Sequence, residues 1–451
     1  MNLAAGLERR ASEGRPVRVG MIGAGKFGSM FLAQARRTPG MHVVAIADRD
    51  VPKVRGLLAA AGWEAEQFAA PSPAAARDSG RTHLGEDGED VIAADGIDVL
   101  VEATGDPRVG LRHAVAAIDG GLSVVMVTVE ADVVAGPLLA ERAAAAGVVY
   151  SLAYGDQPAL ICEQVDWART AGFRVTAAGK GTRYLPSFHQ STPDTVWNNF
   201  GIDQAVATRG RMAPQMFNSF IDGSKSAIEM TAVCNATGLV PQPDGLGFPP
   251  VARDQLADRL RPRAVGGVLA AEPGGDAVTE VVSSLNRDGS AVPHDLRMGT
   301  YVVVAAGQAY VAQCIREYGF QADATGSYLA LYRPDHLIGL ELGVSIASVA
   351  LRGEPTGAAT GFRSDVAAVA KCDLAAGEEL DGEGGYTVWG KQLPAARSVE
   401  LGALPLGLAH GVTLRRPRRS GEVLRWADVT VDETDPAVVL RRAMENRFRN
   451  G

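Results

Sequence analysis

The segment from Gly23 to Gly28 constrains the fold of this chain more than any other stretch of its sequence. It reads Gly-Ala-Gly-Lys-Phe-Gly, follows a short β-branched run at residues 16–22 and precedes a helical stretch at residues 29–37. In such a turn the first glycine permits the sharp bend, the second admits a pyrophosphate and the third lets the helix pack closely. The helix N-terminus adds free N–H groups and the positive end of its dipole. The candidate cofactor-binding residues in this turn are Gly23, Gly25, Lys26, Phe27 and Gly28.

An acidic residue follows the second predicted strand. Residues 41–47 form that strand and Asp48 comes next, at the spacing of about 20 residues after the turn that is typical of a ribose-binding acid. A carboxylate here accepts hydrogen bonds from both ribose hydroxyls and favours NAD, whereas Arg49, Lys53 and Arg55 can pair with the 2′-phosphate of NADP. NAD or NADP is therefore the predicted cofactor, with NAD slightly favoured. The alternative interpretation of Asp48 is an exposed acid at a strand end.

The alternation of strands and helices continues to about residue 152. Strands are predicted at residues 98–103, 123–127 and 148–152, with helices between them, the last at residues 137–146. This order implies a parallel sheet with right-handed crossovers, and ligands bind beyond the carboxyl ends of its strands. Residues 64–95 are interpreted as a helical insertion and a surface loop. The candidates at the strand ends, to face the nicotinamide and its ribose, are Thr104, Gly105 and Glu130. Ordinary turn chemistry is the alternative for them.

Composition limits the partners and the location of the protein. The chain has 451 residues, which predicts two or three domains, and a net charge of −8. Nucleic acid and anionic membranes need a basic surface, so neither is predicted as a partner. A membrane span of about 18 apolar residues is absent and residues 1–15 read as a short surface helix, so a cytoplasmic location is expected. The four cysteines are interpreted as small core residues: Cys162, Cys234, Cys314 and Cys372.

The middle of the chain carries candidate catalytic residues. Lys180 lies between two glycines at the end of a strand predicted at residues 173–179, where a solvated turn lysine is the alternative. A helix is predicted from Asn218, with Asp222, Lys225 and Glu229 on one face. Such a face is either a solvated stripe of charges or a site in which a carboxylate tunes a lysine that moves a proton.

Polar residues around these positions predict a site for a small-molecule substrate. The segment at residues 189–199 is dense in hydrogen-bonding side chains, which suits a polyhydroxylated ligand. A polar surface loop is the alternative interpretation. Arginine side chains grip carboxylates or phosphates, which makes Arg183 and Arg211 candidates. The predicted substrate-binding residues are Thr182, Arg183 and Asn218. No metal ligand is predicted, because His336 has no second histidine at ligand spacing; the need for a metal stays open.

Three of these stretches resemble the homoserine dehydrogenase superfamily: the strand–glycine turn–helix, Glu102-Ala103-Thr104-Gly105, and Asp222-x-x-Lys225. The resemblance implies that Asp222 and Lys225 bind and deprotonate the substrate hydroxyl and that Lys180 stabilises the substrate oxygen. Residues 179–182, 218–225 and 381–386 are similar to a subgroup with a C-terminal SAF domain. That subgroup includes 1-deoxy-D-xylulose-5-phosphate reductoisomerase-like enzymes and D-apionate oxidoisomerases. No ACT-type regulatory domain is apparent, which argues against homoserine as the substrate.

The expected architecture is α/β, with three domains. A Rossmann domain with a doubly wound parallel sheet is predicted at residues 1–158, an α+β substrate and oligomerisation domain at 159–360, and a small β-rich, SAF-like domain at 361–451. The resemblance implies a homo-oligomer, a dimer or tetramer, and an NAD(P)-dependent oxidoreductase or oxidoisomerase acting on a sugar acid or sugar-like substrate. The alternatives are a 1-deoxy-D-xylulose-5-phosphate reductoisomerase-like enzyme, a non-catalytic NAD(P)-binding regulator, and a non-redox lyase or dehydratase.

Overall fold

The chain divides into two compact units in a computed structural model that describes residues 2–210 and 212–449. The first unit comprises the chain through Leu160 together with Leu337–Ala359, and the second comprises Ile161–His336 together with the chain from Thr360 onward. This grouping differs from the three predicted domains. The first unit includes Leu337–Ala359, which lie in the predicted middle domain. The residues from Thr360 onward belong to the same unit as Ile161–His336.

The first unit is built on a six-stranded sheet in the order β3-β2-β1-β4-β5-β6, and all of its strand pairs are parallel. Its strands are β1 (Val17–Ile22), β2 (Met41–Ala47), β3 (His83–Gly85), β4 (Val99–Glu102), β5 (Ser123–Met126) and β6 (Tyr150–Leu152). The doubly wound parallel sheet predicted from the alternating pattern is confirmed. The edge strand β3 was not predicted, since its three residues lie inside the segment interpreted as helix and loop.

Helices of the first unit lie before and between these strands. They are α1 (Leu3–Ser12), α2 (Lys26–Ala35), α3 (Val51–Ala60), α4 (Pro73–Ser79), α5 (Gly88–Ile92), α6 (Pro107–Asp119) and α7 (Val129–Ala146). Side chains of α2, among them Phe31 and Leu32, join strand residues such as Val19 in one buried cluster. The predicted last helix starts too late, at residue 137: α7 begins at Val129 and contains Pro137. Glu130 therefore lies in the first turn of a helix rather than after a strand.

The second unit begins with helices around a four-stranded mixed sheet, in the order β10-β9-β7-β8. Its strands are β7 (Arg174–Thr182), β8 (Val278–Ser283), β9 (Thr300–Ala305) and β10 (Tyr328–Arg333). The helices of this part of the chain are α8 (Gln157–Thr170), α9 (Val196–Phe200), α10 (Gln204–Arg209), α11 (Pro214–Ile221), α12 (Ser224–Thr237), α13 (Leu256–Arg259) and α14 (Ala309–Glu317). Both β7 and α12 are almost wholly buried, so polar side chains on them are held away from water.

The next helix, α15 (Gly343–Arg352), returns to the first unit. Its apolar side chains Ile346 and Val349 belong to the same buried cluster as Val17 and Phe31. Ser345 Oγ also accepts a hydrogen bond of 2.7 Å from the Tyr154 backbone N–H. The helix thereby completes the apolar core of the first unit.

The remaining residues of the second unit form two small antiparallel sheets and two helices. The elements are β11 (Ser364–Ala370), β12 (Glu379–Asp381), β13 (Val388–Pro394), α16 (Ala395–Leu401), β14 (His410–Leu414), β15 (Val429–Thr430) and α17 (Pro436–Phe448). We call residues 360–449 the C-terminal segment. Strand β11 pairs with β13, and β12, β14 and β15 form the second sheet. Arg441 is fully buried and forms a bidentate ion pair with Asp365, which ties α17 to β11.

Two further expectations bear on these elements. None of the helices in the described parts of the chain is both long and apolar enough to cross a membrane. The prediction that all four cysteines fill cores is wrong for Cys372, which is exposed, whereas Cys234 is buried. Burial raises the pKa of the Cys234 thiol to about 12.

Candidate functional site

The glycine turn of the first unit has the shape that a pyrophosphate requires. Gly23 has a φ of +89°, and a Cβ there would lie 2.4 Å from the Ala103 carbonyl oxygen. A Cβ on Gly28 would lie 2.3 Å from the Met21 Cε, so this glycine lets α2 sit close to β1. At Gly25, the residue that caps α2, no atom lies within 4 Å of the Cβ position. The turn is therefore closed on its protein side and open at its middle glycine, which fits the pyrophosphate of NAD or NADP.

Asp48 is joined to this turn. One carboxylate oxygen, Oδ2, accepts a hydrogen bond of 2.8 Å from the Ala24 backbone N–H, and Oδ1 accepts one of 3.0 Å from the Asp50 N–H. The carboxylate is half-buried, whereas Arg49 and Lys26 are exposed and Phe27 is partly exposed. An acid held at the edge of the turn is available to ribose hydroxyls, and it repels a 2′-phosphate. The predicted role of Asp48 therefore agrees with its position.

The ends of β4 and β5 are linked by hydrogen bonds. Glu102 is fully buried and accepts a hydrogen bond of 2.6 Å from the Thr104 hydroxyl. Gly105 has a φ of +74° and donates its backbone N–H to the Thr128 hydroxyl at 3.0 Å. The sequence predicts Thr104 and Gly105 as cofactor contacts and gives Glu102 and Thr128 no binding role. Both hold the two predicted residues in place.

In the second unit, the predicted helix from Asn218 is broken at the candidate catalytic residues. Helix α11 ends at Ile221, and Gly223 has a φ of +93°, a conformation that ends one helix and starts the next. Asp222 lies in this break, where its Oδ1 accepts a hydrogen bond of 2.8 Å from the Ser224 N–H. The prediction that Asp222 shares a helical face with Lys225 and Glu229 is therefore wrong. Only the last two lie on α12, one turn apart.

Lys180 lies inside β7 rather than after it, because the strand extends to Thr182. Its side chain is nearly inaccessible, and its ammonium group forms an ion pair with Glu229 of α12. The solvated turn lysine that sequence reasoning kept as the alternative is thereby ruled out. Buried charges of this kind are retained only when they are paired.

Asp222 has a cationic partner that sequence reasoning missed. Lys371, directly after β11, places its Nζ 2.8 Å from the Asp222 Oδ2, and both side chains are buried. Burial raises the pKa of Asp222, while the Lys371 ammonium and the Ser224 N–H act in the opposite direction. The one sequence signal for Lys371 is a lone charge at the end of the apolar run at residues 366–370.

Lys225 lies in the first turn of α12 and is partly buried, in contrast to the two inaccessible lysines. It stands three residues after Asp222 and four before Glu229, the partner of Lys180. The three predicted catalytic residues are therefore gathered around the first two turns of α12. They reach it from the break before the helix, from the helix itself and from β7.

His189 contacts the same break. Its Nδ1 lies 2.7 Å from the Asp222 carbonyl oxygen, which can only accept, so Nδ1 carries the proton. Nε2 lies 2.9 Å from the Tyr184 hydroxyl and accepts a hydrogen bond from it. The ring stacks on Trp389 of β13 at 3.7 Å, and burial lowers the pKa of His189 to about 4. The histidine is therefore neutral near pH 7, with both nitrogens engaged.

The predicted substrate-binding residues lie in different environments. Thr182 ends β7 and is buried, and Arg183 is partly buried, with its Nε donating to the Asn199 carbonyl at 2.8 Å. Asn218 is fully buried, and its amide donates to the Ser191 and Gly384 carbonyls, each at 2.9 Å. This amide holds backbone segments together, so the position gives no support to a direct substrate contact. Arg211 lies outside the described residues.

A metal centre does not emerge from residues 2–210 and 212–449. No group of three histidine, cysteine, aspartate or glutamate side chains in these ranges is placed to hold a metal ion. His336 instead hydrogen-bonds to the Met298 carbonyl, with 2.6 Å from its Nδ1 to the oxygen.

The fold and the glycine turn define the first unit as a Rossmann-type dinucleotide-binding unit. Residues 155–342 match the family described as "Oxidoreductase DRL, catalytic domain", which spans less than half of the chain. This match supports the prediction of an oxidoreductase. No curated protein matches the sequence.

Several solved structures are similar to parts of the chain. A homoserine dehydrogenase from Thiobacillus denitrificans is 20% identical over 50% of this chain and 49% of its own, with a TM-score of 0.34. The WlbA dehydrogenase of Bordetella pertussis, solved with NADH and UDP-GlcNAcA, is 19% identical over 38% of this chain and 49% of its own, with a TM-score of 0.28. Biliverdin reductase from Synechocystis sp. PCC 6803, solved with biliverdin and NADP+, is 16% identical over 38% and 48%, with a TM-score of 0.26. The chain spans about half the length of these proteins or less, and the likeness carries no argument about activity.

Proposed function

We propose that this protein is an NAD(P)-dependent oxidoreductase that acts on a CH–OH group of a small sugar acid or sugar-like substrate. The observation that carries the proposal is the hydrogen bond from the Ala24 N–H to the Asp48 carboxylate, within a glycine turn that is open at Gly25. The match of residues 155–342 to an oxidoreductase catalytic domain supports the same class of reaction.

The residues of the first unit account for cofactor binding. The turn at residues 23–28 would hold the pyrophosphate, Asp48 the ribose, and Thr104, Gly105 and Glu130 the nicotinamide side. When bound, a nicotinamide supplies the hydride chemistry that no amino-acid side chain provides. The half-buried Asp48 favours NAD, while the exposed Arg49 leaves NADP open.

The residues of the second unit account for the proton that accompanies hydride transfer. Lys225 is the proton carrier in this proposal, because it is only partly buried while Lys180 is nearly inaccessible and paired with Glu229. Lys180 then acts as a fixed positive charge that stabilises the substrate oxygen. Asp222 orients the hydroxyl and is paired with the buried Lys371.

A sugar acid fits this unit better than a sugar phosphate. Arg183 is a partly buried cation that contacts Asn199, in a segment dense in hydrogen-bonding side chains, and this suits a carboxylate carried on a polyhydroxylated chain. The sequence offers no phosphate-binding turn apart from the one at residues 23–28. Isomerisation coupled to hydride transfer would further require adjacent hydroxyl and carbonyl groups in the substrate.

The test begins with titrations of the purified protein with NADH and NADPH. Sugar acids, polyols and 1-deoxy-D-xylulose 5-phosphate are then screened for absorbance change of the nicotinamide. Turnover of a sugar acid is the expected result. If 1-deoxy-D-xylulose 5-phosphate were the only compound turned over, a sugar phosphate would take the place of the sugar acid as the proposed substrate class. Binding of cofactor without turnover of any compound would favour a regulator, and absence of binding would contradict the proposal.

A Lys225→Ala variant tests the assignment of the proton carrier. Its kcat is expected to fall by a factor of about 100 or more, the usual size of general acid–base catalysis, while cofactor affinity is retained. A rate near that of the wild type would remove Lys225 from this role.

Light scattering at several protein concentrations tests the homo-oligomer, dimer or tetramer, that we propose from the family resemblance.

A further inference from the structure

The ammonium group of Lys371 makes three buried contacts. Its Nζ donates to the Ser191 carbonyl at 2.8 Å and to the Gly385 carbonyl at 2.6 Å, and lies 2.8 Å from the Asp222 Oδ2. The two carbonyl contacts are hydrogen bonds, and the contact with Asp222 is an ion pair. Only 2% of its side chain is exposed. The Lys371 side chain is therefore held in one position, away from solvent.

The contacts of Lys371 belong to a larger attachment of the C-terminal segment to the break before α12. Asn218 bridges the Ser191 and Gly384 carbonyls, and Gln215 donates to the Glu383 carbonyl at 3.0 Å. A Cβ on Gly384 would lie 2.1 Å from the Gln215 carbonyl oxygen, so the two backbones approach as closely as only glycine allows. The turn at residues 381–387 is thus fitted to α11.

The other side of the break is held in the same way. The Gly390 N–H donates to the Ser224 hydroxyl at 2.8 Å, and Trp389 stacks on His189, which donates to the Asp222 carbonyl. Both Gly390 and Trp389 lie on β13 of the C-terminal segment. Asp222 therefore has its carboxylate fixed directly, and its backbone fixed indirectly, by residues far later in the chain.

We propose that Lys371 is a positioning residue of the candidate catalytic centre, through which the C-terminal segment fixes the charge and orientation of the Asp222 carboxylate. This inference rests on the proposed function, because it gives Asp222 a role toward substrate. It assigns the C-terminal segment a part in the chemistry rather than in assembly alone. Lys371 acts only through Asp222.

The electrostatic reason is the burial of Asp222. A carboxylate with no exposure would take up a proton unless an opposite charge lay close to it. The titratable groups around it are Lys371 beside its carboxylate, His189 at its carbonyl and Lys225 on the following helix. Lys391 of β13 adds a positive charge near the histidine. In the described part of the chain, Lys371 is the titratable group whose charge lies against a carboxylate oxygen of Asp222.

The first experiment measures the ionisation of Asp222 without any substrate. The ¹³Cγ resonance of Asp222, assigned with an Asp222→Asn variant, is followed by NMR from pH 5 to pH 9 in the wild type, Lys371→Gln and Lys371→Arg. Glutamine keeps N–H groups for the Ser191 and Gly385 carbonyls but removes the charge. The midpoint is expected to rise by more than one pH unit in Lys371→Gln and to return toward the wild type in Lys371→Arg. The same midpoint in all three proteins would overturn the proposal.

The second experiment measures turnover. In Lys371→Gln, kcat is expected to fall by a factor of about 100, as for loss of one acid–base group, with NADH affinity changed by less than about threefold. The double variant Asp222→Asn/Lys371→Gln buries no unpaired charge, so it folds even if the single variant does not. Its kcat should equal that of Asp222→Asn alone, since Lys371 acts through Asp222. A further drop in kcat in the double variant would overturn the proposal. If the wild type did not bind the cofactor, the proposed function would be contradicted, but the NMR experiment would still test the effect of Lys371 on Asp222.

Discussion

Lys180 and Glu229 form a buried ion pair that joins strand β7 to helix α12. The two side chains are 3% and 1% exposed, so neither charge has access to bulk water. The pair holds the second turn of α12 on the sheet, directly after the turn that carries Lys225. The geometry of the candidate catalytic lysine therefore depends on a contact that excludes solvent.

Removal of one partner of this pair should destabilise the second unit strongly. Glu229→Gln leaves Lys180 charged and buried, which typically costs about 3–5 kcal/mol of the free energy of unfolding. Chemical denaturation measures the loss. The double variant Lys180→Met/Glu229→Gln should recover much of it, because it buries no unpaired charge. Equal stability of the wild type and Glu229→Gln would contradict the importance of the pair.

The open middle of the glycine turn predicts a selective effect on cofactor binding. In Gly25→Ala the new methyl group meets no protein atom, and the backbone φ of −67° suits alanine, so thermal stability should be unchanged. The methyl would occupy the space of the pyrophosphate, and NADH affinity should fall by at least about tenfold, or 1.4 kcal/mol. Gly56→Ala, which also meets no atom, is the matched control in α3. Unchanged affinity in Gly25→Ala would place the dinucleotide elsewhere.

The choice between NAD and NADP should depend on the charge of Asp48. Asp48→Asn keeps an oxygen that can accept from the Ala24 N–H, but it removes the repulsion of a 2′-phosphate beside Arg49. The ratio of the NADPH to the NADH dissociation constant should fall by about tenfold. Fluorescence titration of both cofactors measures it. A ratio that stays the same would show that Asp48 does not face the ribose.

A buried acid in the first unit predicts a pH dependence of stability. Asp132 of α7 is 1% exposed and accepts a hydrogen bond of 3.0 Å from the Tyr150 hydroxyl, and burial raises its pKa from 3.8 to about 7. Between these values the folded protein keeps a proton that the unfolded chain loses. The free energy of unfolding should therefore fall as pH rises from about 4 to about 7, by up to about 1.4 kcal/mol per pH unit for this group, and level off above.

Asp132→Asn should remove this contribution, since its side-chain oxygen still accepts from Tyr150 and it does not titrate. Burial also raises the pKa of Glu280 in the second unit to about 7, so the wild type and the variant must be compared at each pH. Denaturant unfolding at pH 5, 6, 7 and 8 measures the difference. A variant whose stability follows the wild type in parallel would contradict the assignment.

The shape of the glycine turn follows from local sequence, because its geometry is decided within a few residues. Gly23 needs a positive φ and Gly28 needs close packing whatever the rest of the chain does. Strand β3 was missed because three residues are too few to show alternation, and it forms only by pairing with β2. Its existence depends on the sheet rather than on its own sequence.

The sequence predicts candidate catalytic residues but not their ion-pair partners. Asp222, Lys225 and Lys180 can be picked out of the sequence by residue type. In the structure the helix breaks at Gly223, Asp222 pairs with Lys371, and Glu229 pairs with Lys180. Lys371 contacts a carbonyl 180 residues away in the chain, at Ser191, and no periodic pattern encodes such a pairing. Long-range ion pairs of this kind follow from tertiary structure alone.

The return of α15 to the first unit has a consequence for synthesis of the chain. A ribosome has completed every strand of the parallel sheet long before it reaches Leu337–Ala359, so the apolar surface that Ile346 and Val349 cover stays bare while the second unit is made. Until then this apolar surface of the nascent first unit is open to chaperone binding and to aggregation. A fragment that ends at Leu160 should be poorly soluble, and one that rejoins residues 337–359 through a short linker should fold.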